Sequence, residues 1–141
     1  MPHPHLTVEA SPAGYQQVRL ARPERRNALS IQLRDQIAAQ LEQWAREPAV
    51  RVVVLSAAAS SFCAGFDLAE FAPAGLARRI RDSSRRYHLA VRAFPKPLLA
   101  AVNGPALAGR LGRRGVRASG DQVRRPAAVS RAFSQPSANP Q

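Results

Sequence analysis

Two stretches of this chain place glycine and small residues directly after an apolar run. "SSFCAGFDL", Ser60–Leu68, follows "RVVVLS", and "VNGPALAG", Val102–Gly109, closes "LLAAV". At the carboxyl end of a strand, such residues let backbone N–H groups approach a ligand without side-chain obstruction. Two N–H donors converging on one carbonyl oxygen would make an oxyanion hole, which stabilises the negative charge that develops there. Taken alone, each stretch is more simply read as a glycine-containing turn of the ordinary kind. Cys63 lies beside the first, but no histidine is placed to activate it, so it is expected to be a small packing residue.

The elements that would position these loops follow from periodicity. Leu6–Glu9 and Tyr15–Leu20 flank the turn signal "SPAGY" and predict a β-hairpin. Ser30 can cap a helix on which Leu33, Ile37, Leu41 and Trp44 share one face, with Pro48 closing it. "RVVVLS" is a continuous β-branched run that predicts a central strand covered on both faces. A second helix is expected from about Gly75 to Phe94, with Leu76, Ile80, Tyr87, Val91 and Phe94 along its stripe. "LLAAV" predicts another buried strand, and "NG" a turn at its end. Strands, helix, strand, loop, helix and strand in this order predict an α/β arrangement with crossover connections.

In combination, "LARPERRNALS", "RVVVLS", "FCAGFDL" and "KPLLAAVNGPALAG" resemble, in order and spacing, the enoyl-CoA hydratase/isomerase (crotonase) family. The resemblance runs from about residue 5 to 109, the amino-terminal part of a typical member. It implies a crotonase-like spiral of strand-strand-helix turns, incomplete here, with acyl-CoA thioesters as substrates and a homotrimer as the usual assembly. Coenzyme A would enter as part of the substrate, with no permanently bound cofactor and no metal ligand. By the family pattern the oxyanion donors are the backbone N–H groups of Phe66 and Gly109. Arg22, Arg25 and Arg26 fall in the segment near the CoA phosphates, though a solvated basic loop explains each of them as well. Ala64 and Gly65 belong to the segment that passes the pantetheine and adenine. Asp67 is expected to brace its loop by accepting hydrogen bonds.

Past Gly109 the resemblance stops. Where hydratases of the family carry a catalytic glutamate this chain has Gly112, and near the second acid it has Ala132; Asp121 is the only acidic residue after Gly109. Water addition needs a positioned base and acid, so impaired catalysis is expected. Residues 1–109 are expected to form the truncated domain and 110–141 a structureless tail rich in Arg, Pro and Ser. Arg110 stands where the family continues with glycine, and "GRLGRRG" has the composition of glycine codons read one base out, so a shift of reading frame is the expected origin.

The charge distribution supports a second reading. Residues 110–141 hold 7 arginines and 1 acidic residue, whereas residues 1–109 hold 14 Lys and Arg against 8 Asp and Glu. A basic tail of this kind binds phosphate backbones without regard to sequence, and would make the chain a small nucleic-acid- or polyanion-binding protein. The tail has no aromatic interleaving beyond Phe133 and no known module, which favours the acyl-CoA reading. No secretory signal and no run of about 18 apolar residues is present, and one cysteine excludes an internal disulfide. The expected setting is cytoplasmic, with no membrane partner.

Overall fold

The computed structural model describes residues 5–106, and the expectations for Gly109, Arg110, Gly112, Asp121, Ala132 and the tail lie outside them. Strands β1 (Leu6–Ala10), β2 (Tyr15–Leu20), β3 (Val52–Ala57) and β4 (Leu98–Ala100) form one mixed sheet in the order β1-β2-β3-β4. Helix α1 (Ile31–Ala45) connects β2 to β3, and α2 (Ala77–Ala93) connects β3 to β4. The first pair is antiparallel, Leu6 opposite Leu20 and Ala10 opposite Gln16, and Ser11–Gly14 make its turn. The next two pairs are parallel, as crossover connections require. The order of elements is therefore the expected α/β one.

Helix α1 begins where its cap residue dictates. Ser30 is extended, and its Oγ accepts a hydrogen bond from the Leu33 N–H at 3.1 Å. A second acceptor is supplied from far along the chain: the Glu70 carboxylate takes the Ile31 N–H, one oxygen at 2.9 Å and the other at 3.0 Å. A carboxylate suits this end of the helix because unpaired N–H groups leave partial positive charge there. At the other end the Lys96 ammonium donates to the carbonyls of Trp44, at 2.6 Å, and Glu47. Leu33, Ile37, Leu41 and Trp44 are buried as their spacing predicts.

The core lies between the helices and one face of the sheet, where Leu6, Val18, Leu20, Val53, Leu55 and Ala57 meet the α1 stripe, Tyr87, Phe62 and Val102. Two expectations are corrected here. β3 is central, but Val53, Leu55 and Ala57 are buried while Val52, Val54 and Ser56 are only half-buried, because the described helices cover one face. "LLAAV" yields a three-residue edge strand instead of a buried one, with Leu99 exposed. Its apolar composition could not show that, among the described residues, only one side of β4 would find a partner strand. On α2, Ile80, Ser83 and Tyr87 are buried, with Leu76, Val91 and Phe94 half-buried beside them. No described helix is long and apolar enough to cross a membrane.

Candidate functional site

The two glycine-containing loops converge. The Pro105 carbonyl accepts from the Phe62 N–H at 3.0 Å and from the Cys63 N–H at 3.3 Å, and Cys63 pairs with Ala106 in parallel register. Asn103 Nδ2 donates to the carbonyls of Ala57 and Ala59, so the second loop is also tied to the end of β3. Between these ties the backbones touch at Gly104: a Cβ there would overlap the Ser60 carbonyl oxygen. Only glycine permits this approach.

The basic loop joins the same cluster through Asn27, which is fully buried and left-handed at φ 55°. Its Oδ1 accepts from the Arg22 N–H, and its Nδ2 donates to the carbonyls of Ala58 and Ser61, all at 2.8 Å. Alongside, a short parallel pairing links the basic loop to "AGFD". The Ala64 N–H donates to the Arg26 carbonyl at 3.0 Å, the Leu29 N–H to the Gly65 carbonyl at 2.7 Å, and the Asp67 N–H to the Leu29 carbonyl at 3.2 Å. Gly65, at φ +87°, makes the turn that this path needs.

This pairing decides where the Phe66 N–H points. The Gly65 carbonyl and the Phe66 N–H share one trans peptide plane and face opposite ways. With the carbonyl held by Leu29, the N–H is directed away from the pairing and meets no acceptor among the described residues.

Asp67 braces the loop as its sequence context suggested. Its Oδ2 lies 2.8 Å from Arg22 and its Oδ1 3.4 Å from Arg25, and Oδ1 also accepts from the Ala69 N–H at 3.1 Å. Burial works against its charge, but the Arg22 hydrogen bond, the Ala69 N–H and the charges of Arg22 and Arg25 together outweigh it. The carboxyl is thereby held below its ordinary range. Arg22 also donates to the Ala28 carbonyl at 3.1 Å, so it is largely turned inward. Arg25 is about half exposed, and Arg26 is exposed with no side-chain partner among the described residues. The structure thus brings Arg22, Arg25, Arg26, Ala64, Gly65 and Phe66 into one cluster; the remaining candidate, Gly109, is outside the described residues.

Cys63 is buried, and burial raises its thiol to about 11, with a smaller opposing effect from the Gly65 N–H. This is a packing residue's environment, since a nucleophilic thiol needs a lowered pKa. Tyr87, behind it, is also raised by burial. The sequence did not single out Arg34, buried with its guanidinium carbon 4.3 Å from the Phe66 ring centre, or His88, whose ring is 6.3 Å from that ring. Nor did it single out Asn27, Glu70 or Lys96. Asn27 alone left a local signal, asparagine being a residue that tolerates left-handed backbone.

Comparison with known proteins gives a consistent picture. The family model described as "Enoyl-CoA hydratase/isomerase" matches residues 10–112. The 2,3-dehydroadipyl-CoA hydratase of Escherichia coli (strain K12) is 42% identical over 88 residues, 62% of this chain and 34% of that protein. The 4-chlorobenzoyl coenzyme A dehalogenase-2 of an Arthrobacter species is 36% identical over 115 residues, 77% of this chain and 41% of that one. Among solved structures, an enoyl-CoA hydratase from Mycobacterium avium subsp. paratuberculosis K-10 superimposes with a TM-score of 0.67 at 30% identity, covering 75% of this chain and 41% of that one. The chain therefore spans between a third and somewhat over two-fifths of the length of these relatives.

Proposed function

The chain belongs to the enoyl-CoA hydratase/isomerase family, and on that premise we propose that it binds an acyl-CoA thioester with the thioester oxygen held between the Phe66 and Gly109 N–H groups. The observation that carries the proposal is the Phe66 N–H, turned out of the Leu29 pairing and without an acceptor among the described residues. The register supports a second donor nearby in sequence terms: Cys63 pairs with Ala106, and Phe66 and Gly109 each lie three residues further on.

In this reading the two donors hydrogen-bond the thioester oxygen and stand where charge would develop in an enolate, the role that is worth about 3–4 kcal/mol per donor in an oxyanion hole that turns over. Arg25 and Arg26, exposed at the rim, contact the CoA phosphates, and Arg22 supports Arg25 through the Asp67 carboxylate that the two share. Binding of the thioester goes with impaired hydration in this reading, because Gly112 falls where the family pattern puts one acid and Ala132 lies near the place of the second. Which acyl group is taken is left to residues beyond this cluster; the relatives named for a dehydroadipyl thioester and a chlorobenzoyl thioester already differ in it.

Calorimetric titration of the full chain with an enoyl-CoA and with its thioether analogue, which lacks the carbonyl, tests the proposal. Two hydrogen bonds to the carbonyl, at about 1 kcal/mol each, predict about thirtyfold tighter binding of the thioester, with no loss of the enoyl absorbance. Equal affinity for the two ligands, or no saturable binding, would contradict it.

A further inference from the structure

An arginine inside α1 is an expensive residue to bury, because its charge loses water and must be compensated by the protein. Arg34 is fully buried, yet it forms no ion pair among the described residues. Its direct contacts are all with neutral groups, while the charges of Glu70, Asp35 and Asp67 offset part of the burial from further away. Nη1 donates to the Leu29 carbonyl at 2.6 Å, Nε donates to Ser83 Oγ at 3.2 Å, and the guanidinium lies over the Phe66 ring at 4.3 Å. Nη2 is buried without a partner. An aliphatic side chain would fill this helix position without such a penalty, so the contacts that Arg34 makes call for a reason.

Two of those contacts, to the Leu29 carbonyl and to the Phe66 ring, fall on the two residues of the Leu29–Phe66 pairing. The Leu29 carbonyl that Arg34 holds is the one that accepts the Asp67 N–H, on the carboxyl side of Phe66. The Leu29 N–H holds the Gly65 carbonyl, which lies in the peptide plane of the Phe66 N–H. Arg34 therefore fixes Leu29 from one side and presses on the Phe66 side chain from the other. We propose that Arg34 is a positioning residue that sets the direction of the Phe66 N–H, through the Leu29 carbonyl and the Phe66 ring. This rests on the reading of that N–H as a thioester donor.

The third contact offers the competing explanation. Ser83 belongs to α2 and its hydroxyl donates a hydrogen bond to the Ile31 carbonyl at 3.2 Å, so Arg34 also ties α2 to α1. A residue whose role were only that tie would matter through Ser83.

The test uses the full chain with R34M, with R34K as a milder change that keeps the charge and the aliphatic stem but loses the planar fork, and with S83A. Two quantities are read: hydrogen exchange of the Asp67 amide without ligand, and the carbonyl stretch of a 13C-labelled enoyl-CoA thioester in difference infrared spectra. Positioning by Arg34 predicts that R34M and R34K speed Asp67 exchange by about tenfold, the effect of losing one charge-assisted hydrogen bond. It also predicts that both variants shrink the downshift of the bound carbonyl, that S83A changes neither, and that affinity for free CoA stays the same. Unchanged exchange and carbonyl stretch in R34K, or equal changes in S83A, would overturn the inference. If the native chain gives no carbonyl downshift at all, the donor reading itself fails; the exchange measurement still reports separately on Arg34 and Leu29.

Discussion

Replacing Asn27 by alanine should unfasten the basic loop from the loop after β3. The side chain is fully buried and makes three hydrogen bonds of 2.8 Å, one from the Arg22 N–H and one each to the Ala58 and Ser61 carbonyls. At about 1 kcal/mol for each bond, their loss removes about 3 kcal/mol of stability. Alanine must also adopt the left-handed backbone at φ 55°, which adds about 1 kcal/mol. The total of about 4 kcal/mol is a large part of the ~5–15 kcal/mol that holds a typical domain together. Urea denaturation followed by circular dichroism gives the comparison directly. With a slope of roughly 1.5–2 kcal/mol per molar, the midpoint should fall by about 2 M or more, or the variant should be unfolded from the start. A shift below about 0.5 M would refute the reasoning, because the two loops would then be held together by something other than Asn27.

Three further outcomes follow from the same geometry. Gly104→Ala forces a methyl group into the Ser60 carbonyl, and backbone cannot swing aside as a side chain would; thermal denaturation should show a loss of about 1–3 kcal/mol, a fall of roughly 5–15 °C. The Cys63 thiol lies at about 11 against an ordinary 9.0, so the folded chain keeps a proton that the unfolded chain releases. Stability should decline as pH rises from 9 to 11, by about 3 kcal/mol in all from this residue, and Cys63→Ala should reduce that slope. The Asp67 carboxyl lies below its ordinary 3.8, so its contribution is present above that pH and is lost as the pH falls below it. Acid denaturation of Asp67→Asn should therefore show a shallower decline than the native chain, and an equal slope would remove Asp67 from the account.

What could be read from the sequence was local. The spacing of Leu33, Ile37, Leu41 and Trp44 defines α1 because a helix repeats within a few residues, and Ser30 marks its start for the same reason. The two loops could be singled out only in combination with the motifs around them, because a glycine-containing turn after a strand is common by itself. Burial of strands was harder. An apolar run such as "LLAAV" says that its residues can be covered, while the number of neighbouring strands is a property of the whole sheet. The residues that fix the candidate site were mostly invisible because their partners are distant. Glu70 caps a helix 39 residues before it, Arg34 reaches Ser83 49 residues ahead, and Lys96 closes a helix end 52 residues behind it. No periodicity connects such pairs, and only the fold brings them into contact.

The central claim concerns one N–H group, and it can be observed directly. In full-length chain labelled with 15N-phenylalanine, titration with an enoyl-CoA thioester should move the Phe66 amide proton downfield, as expected for a new hydrogen bond. The amides of Phe62 and Phe94 should stay in place, and the thioether analogue should leave Phe66 unmoved. A Phe66 amide that responds equally to both ligands, or to neither while the thioester is bound, would contradict the account.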